Sequence, residues 1–466
     1  MGKRNLRLSG KMLVLLAVAS FLFISCQMQP SADETIEQLV STVSHPEWSK
    51  NAVMYEVNVR QFTPEGTFNA FAEHLPRLKE MGVDILWFMP VTPIGEVERK
   101  GTLGSYYSVQ DYTGINPEFG TKEDFQNLVN QIHEKGMYVI IDWVANHTAW
   151  DHPWTQTNPD FYYTDADGNF TPPHDTDWSD VIQLEYENHD LWDAMISEMR
   201  YWVEEVNIDG FRCDVAYLVP TEFWNRARRE LEGVKPIFML AEADHPELKE
   251  HAFNAGYSWT SHHAMNRIAQ GEDNVSALDK YFFEENQGNY PLGTYKINFI
   301  SNHDENSWAG TVFDRLGDAM EAFAVLSNTV EGMFLLYNGQ EAGLDKMLEF
   351  FEKDEIDWSD LKYQDFYTKL FELKANNRAL WNGLAGGKMK RVNTNDDESI
   401  FAFTREKDGD KVLVVLNLSA EPNTVKFNGE NFVGAYTELF SAQEKIIEAE
   451  FTLEMEPWAY KVYYKL

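Results

Sequence analysis

The chain has 466 residues, enough for one large barrel with a smaller domain beside it. Its 75 acidic residues against 39 basic ones give a formal net charge of −36. That balance argues against binding nucleic acid or an anionic membrane face, while a neutral ligand such as a sugar is not opposed. The acid excess itself reads as a solvated surface.

The N-terminus is a targeting segment. Lys3, Arg4, Arg7 and Lys11 precede an almost wholly apolar run, 12–24, too short to span a bilayer comfortably. The run ends in Leu22-Phe23-Ile24-Ser25-Cys26, which resembles a bacterial lipoprotein signal. The resemblance implies removal of residues 1–25, acylation of Cys26 and a membrane partner held through that lipid anchor. An ordinary secretory signal with an incidental Cys is the alternative. Gln27 does not resemble a strong inner-membrane retention signal, so the expected place is the outer membrane of the cell envelope, on either face. With Cys26 acylated, Cys213 is left alone, and it reads as a buried structural thiol.

Residues 26–49 read as a polar tether with helical potential over 32–43. The barrel domain is expected over 50–382. Strand 53–59 opens it, followed by an amphipathic helix, 68–81, and strand 83–89. The rhythm continues with helix 122–135, strand 137–141, helix 191–206 and strands 208–213, 237–241, 297–301 and 333–337. Alternating strands and helices imply parallel strands with right-handed crossovers, here a (β/α)8 TIM barrel. The segment 148–188 interrupts the rhythm with Pro153, Pro159, Pro172 and Pro173, and a loop of that length inside a barrel is usually functional. Within it, Asp165-x-Asp167-Gly168-Asn169 lacks the closing Glu of a calcium loop and reads as a turn. Residues 383–466 carry strand-like runs at 401–405, 411–418 and 459–464, and predict a C-terminal antiparallel β-sandwich.

Four of the barrel strands end in chemistry. Tyr138-Val139-Ile140-Ile141 leads to Asp142 and then Asn146-His147. Ile208-Asp209-Gly210-Phe211 leads to Arg212-Cys213-Asp214. The run at 237–241 ends at Glu242, and the run at 297–301 at Asn302-His303-Asp304. The C-terminal ends of barrel strands are where catalytic residues sit. Strand alternation puts Arg212 and Asp214 on one face, where the guanidinium is expected to hold the carboxylate ionised. An ionised, positioned carboxylate suits a covalent glycosidase.

From about Asn51 onward these runs resemble the α-amylase family of retaining glycosidases, glycoside hydrolase family 13. Asp142-x-x-x-Asn146-His147, Gly210-Phe211-Arg212-x-Asp214, Glu242 and Asn302-His303-Asp304 match its four signature regions. Tyr107, in Tyr107-Ser108-Val109-Gln110-Asp111-Tyr112, matches a tyrosine that stacks on the sugar at the cleavage point. The resemblance implies Asp214 as nucleophile, Glu242 as general acid/base and Asp304 as transition-state stabiliser. It implies Arg212, His147 and His303 as contacts to the same sugar, and 148–188 as the family's inserted B domain. Retention needs two carboxyl groups about 5–5.5 Å apart, one attacking while the other donates a proton.

One departure stands out. Many members carry a Lys-His pair shortly after the nucleophile, where this chain reads Val215-Ala216-Tyr217-Leu218. Tyr217 offers a stacking face instead. Asn146 still matches the side-chain ligand of the family's calcium site, so calcium stays open there and no cofactor is required. Trp308 is a second stacking candidate, while His133, His189 and His251 lack catalytic company. The expected activity is hydrolysis of α-1,4 bonds in starch or maltooligosaccharides. The alternatives are an α-glucan transglycosylase, an α-1,6- or trehalose-active relative, and a non-catalytic glucan-binding lipoprotein.

Overall fold

A computed structural model describes residues 40–285 and 290–466. The expected signal segment, Cys26 and most of the expected tether lie outside the described residues. Eight parallel strands close a barrel. They are β1 (Met54–Val57), β2 (Ile85–Phe88), β3 (Tyr138–Trp143), β4 (Gly210–Cys213), β5 (Phe238–Ala241), β6 (Ala255–Tyr257), β7 (Tyr295–Asn298) and β8 (Met333–Tyr337). Each strand pairs with its neighbours in sequence, and β8 returns to β1 with Leu335 opposite Met54.

Alternation along the strands explains where the polar groups go. Met54 and Ile140 fill the interior with Trp87, Leu240, Ile297 and Leu335. Tyr55, Val139, Ile141 and Phe211 face outward, into the layer against the helices. The next inward positions toward the C-terminal mouth are Glu56, Asp142 and Arg212, all buried. An apolar plug therefore ends in a layer of buried charge just below the loops.

The helix Lys122–Glu134 shows how local sequence and packing agree. Thr121 and Asp124 form a reciprocal cap at its start, and Phe125, Leu128, Val129 and Ile132 face the barrel. The single helix expected over 68–81 is instead two, Phe68–Ala72 and Leu75–Met81. Pro76 lies in the first turn of the second, and its ring would clash with the carbonyl four residues back in a continuous helix. β6 went unread because it has only three residues and a central glycine. Gly256 is required there: a Cβ would stand 2.2 Å from Lys249 Cε and 2.7 Å from the Ala243 carbonyl. β7 begins two residues before the expected strand and ends at Asn298.

Residues 40–49, read as tether, are bound to the bottom of the barrel and end in one short 3-10 turn, Glu47–Ser49, while most of the helix expected over 32–43 lies outside the described residues. Trp48 stacks on Tyr138 at 4.1 Å, His45 on Tyr295 at 4.1 Å, and the Ser44 carbonyl accepts from Arg228 at 2.9 Å. In the insertion, His147–Ala149 pairs antiparallel with Val181–Gln183. The segment around Asp165 is a turn, with Asp165 Oδ1 accepting from the N–H groups of Asp167 and Asn169, both at 2.9 Å.

Beyond the barrel, a six-stranded and a three-stranded antiparallel sheet form the C-terminal sandwich. Ile400, Ala402, Leu413 and Val415 face the second sheet, while Phe401, Phe403, Val412 and Val414 join the core shared with the barrel helices. Buried Arg405 locks that contact by donating to the carbonyls of Thr329 and Val330 at 3.0 and 2.7 Å. No helix among the described residues is long and apolar enough to cross a membrane.

Candidate active site

The register of β3 and β4 sets Asp142 directly beside Arg212. Arg212 Nη1 donates to Asp142 Oδ1 at 2.9 Å and to Asp214 Oδ1 at 3.0 Å. Its other terminal nitrogen, Nη2, makes a 2.8 Å ion pair with Glu242 Oε1, off the line of a good hydrogen bond. Glu242 follows β5 and is held from its other oxygen by the Val215 N–H at 2.7 Å. Val215 sits at φ 35°, a conformation that β-branched residues rarely adopt, and strain of this kind clusters at functional sites. One buried guanidinium thus gathers carboxyls from three consecutive barrel positions.

The facing wall is built on His303. Its Nδ1 lies 2.5 Å from Glu56 Oε1, its Nε2 2.7 Å from the Tyr107 hydroxyl and 3.3 Å from Asp304 Oδ2. Tyr107 also donates to Asp142 Oδ2 at 3.1 Å, joining the two halves. His147 lies on the third side, with Nδ1 3.2 Å from the Asn146 amide nitrogen. Because that amide donates, Nδ1 accepts, and the ring proton sits on Nε2. A cavity of about 600 Å³ opens above this floor, lined by Tyr107, His147, Asp214, Glu242, His303 and Asp304 among others.

Two cations, Arg212 and His303, stand among Glu56, Asp142, Asp214, Glu242 and Asp304. Burial lowers a histidine's pKa, but Asp304 and then Glu56 outweigh it and raise His303 to about 9. Burial drives His147 down to about 3, so its ring is neutral. Burial pushes Asp142 up to about 6 against the pull of Arg212. The expectation that Arg212 holds Asp214 ionised is corrected here. Burial first, and the Glu242 carboxylate second, outweigh the guanidinium and push Asp214 well above the usual carboxylate range.

All seven residues singled out for catalysis and sugar contact, Asp214, Glu242, Asp304, Tyr107, His147, Arg212 and His303, thus meet at one cavity or immediately beneath it. Trp308 is exposed at the rim, its ring 5.2 Å from Phe350, and Tyr217 stacks on His245 at 5.5 Å. His133 pairs with Asp209, His189 stacks on Trp192 and His251 bonds Thr42, all away from the cavity. Cys213 points outward into the core, where burial pushes its thiol up. Sequence reading missed Glu56; the signal was an acid two positions after the inward-facing Met54. It also missed Lys100, Phe350 and Phe351, loop residues with no periodic signature. Among the described residues no three His, Cys, Asp or Glu side chains converge as a metal would need. Asn146 Oδ1 is already bonded, accepting from the Gln183 amide at 3.0 Å.

The profile of the alpha amylase catalytic domain matches residues 41–412. The chain belongs to the alpha-amylase family. It is thereby a member of a glycoside hydrolase family, and residues 390–462 match the C-terminal domain of maltogenic amylases. Alpha-amylase 3 of Dictyoglomus thermophilum is 27% identical, over 82% of this chain and 88% of its own. The crystal structure of a maltogenic alpha-amylase from Thermotoga neapolitana superposes with a TM-score of 0.79 at 29% identity, covering 90% of this chain and 97% of that one. An alpha-amylase from Lactobacillus plantarum gives the same score and identity, over 90% and 100%. A trehalose synthase of Pimelobacter is 38% identical over a shorter stretch, 37% of this chain and 35% of its own.

Proposed function

We propose that this family member is a retaining α-glucan hydrolase acting on α-1,4 bonds of maltooligosaccharides. The observation that carries the reading is the attachment of Asp214 and Glu242 to the two terminal nitrogens of one guanidinium. That keeps the carboxyls only a few ångström apart, in keeping with the short separation, about 5–5.5 Å, of a double-displacement site. In the first step an Asp214 oxygen bonds to the anomeric carbon while the bond to the leaving oxygen breaks, and Glu242 passes its proton to that oxygen. In the second, water attacks the glycosyl-Asp214 ester, Glu242 takes the water's proton, and Asp214 is released. The first step therefore needs one proton on the pair. Asp304 and protonated His303 bind ring hydroxyls, neutral His147 donates from Nε2, and Tyr107 offers its ring as a stacking face.

The cavity's walls favour short substrates. Leu103 N–H bonds the Phe351 carbonyl at 3.0 Å, and Lys100 reaches the Asp177 carbonyl at 2.7 Å and Asp180 at 3.3 Å. Three loops are thereby laced together across one side of a cavity in the small-ligand size range. Transglycosylation is the second reading, supported by the 38% identical stretch shared with a trehalose synthase; the two differ in whether water or a sugar hydroxyl meets the ester.

The test is trapping. A slow fluorinated α-glucosyl fluoride should add one sugar mass to the protein, and peptide mapping should find it on Asp214. No adduct, or an adduct elsewhere, would overturn the mechanism. For location, the proposal is acylation at Cys26 and retention in the cell envelope. Cys26→Ala should release the protein in soluble form, and continued membrane association would contradict the anchor.

A further inference from the structure

Asn146 is the residue here that matches a family calcium ligand, and its surroundings do not fit a cation. Gln183 stands opposite Asn146's neighbour His147 in the insertion hairpin. The Gln183 amide nitrogen lies 3.0 Å from Asn146 Oδ1, 3.2 Å from the Asn146 carbonyl and 3.2 Å from the Leu184 carbonyl. Three oxygens converging on one point is the arrangement a hard cation attracts, with oxygens about 2.3–2.6 Å away. Here an amide NH2 fills that point. Its distances are those of hydrogen bonds, and its two protons are shared among three acceptors. A calcium ion placed among the same oxygens would overlap the nitrogen. The remaining lone pairs nearby are also in use: the Asn146 carbonyl accepts from Leu184 N–H at 3.1 Å and the Ala145 carbonyl from the Tyr186 hydroxyl at 2.7 Å.

We propose that the Gln183 side-chain amide stands in for a calcium ion, tying the inserted domain to the end of β3 without metal. The junction matters because the returning strand carries Asp180 and Val181 into the cavity wall. A neutral amide at this point also leaves the hairpin insensitive to chelators, where a cation would be the weak link.

The experiment uses the purified full chain. Elemental analysis should find less than one calcium per chain after dialysis, and the thermal midpoint should be the same in EDTA and in millimolar calcium chloride. One retained calcium per chain, or a midpoint that falls in EDTA and recovers with calcium, would overturn the proposal. Gln183→Glu puts a carboxylate among three oxygens, so its midpoint should fall in EDTA and rise with calcium. A Gln183→Glu protein indifferent to calcium would count against the site being a cation-shaped cage. Gln183→Ala guards against a misfolded Glu variant: it should lower the midpoint equally in both buffers, and an unchanged midpoint would overturn the role given to the amide.

Discussion

Replacing Arg212 by Met removes the one positive charge that Asp142, Asp214 and Glu242 share within 2.8–3.0 Å. Breaking a buried pair by deleting one partner costs about 3–5 kcal/mol, because the remaining charge is left without compensation. The escape is protonation. In the variant the folded-state pKa values of Asp142 and Asp214, already raised by burial, rise further above their unfolded values, so its stability increases as pH falls. One extra bound proton across three pH units is worth up to about 4 kcal/mol. That matches the cost of losing the guanidinium, so the deficit should be near its full size at pH 8 and largely gone at pH 5. Thermal midpoints of wild type and Arg212→Met at pH 5, 6.5 and 8, followed by tryptophan fluorescence, measure it directly. A deficit that is the same at all three values, or below about 1 kcal/mol at pH 8, would refute the view that this guanidinium neutralises a shared carboxylate cluster.

Glu242→Gln should lower kcat/KM on maltooligosaccharides by about 10²–10⁴, the usual worth of a positioned general acid. The loss should be much smaller on α-glucosyl fluoride, whose leaving group needs no proton; equal losses on both would exclude the acid role. His303, raised from 6.5 to about 9, contributes stability that is full below pH 6.5 and lost as pH rises through about 9. That interval is worth about 3 kcal/mol, so His303→Asn should be most destabilised near pH 6 and close to wild type at pH 10. A gap that widens with pH would reverse the sign and the assignment. Lys100→Ala cuts the lacing to Asp177 and Asp180, and should lengthen the products released from maltoheptaose by at least one sugar unit; an unchanged product pattern would remove Lys100 from the chain-length wall.

Much of this was legible in the sequence because barrel strands fix both direction and face. An apolar run that ends in Asp142, in Arg212 and Asp214, in Glu242 or in His303 and Asp304 has one place to put those groups, the C-terminal mouth. What could not be read was anything set by partners distant in the chain. Glu56 is an unremarkable acid until His303 is known to stand 2.5 Å away. The ionisation of Asp214 was misjudged because Arg212 stands two residues away in sequence, whereas the burial and the Glu242 carboxylate that outweigh it are set by distant parts of the chain. β6 was too short and too poor in side chains to give a period. The split at Pro76 was legible in principle, and a helical pattern of apolar residues masked it. Residues 40–49 look like tether because their anchors, Tyr138, Arg228 and Tyr295, lie far along the chain.

The central claim is that Asp214 forms a glycosyl ester that Glu242 helps to break. Proton NMR of maltoheptaose cleavage in its opening minutes tests it most directly, with Asp214→Asn alongside. The account predicts short products that appear first as the α-anomer, mutarotating only later, and none from the variant. First-formed β-anomer, or undiminished turnover by Asp214→Asn, would contradict it.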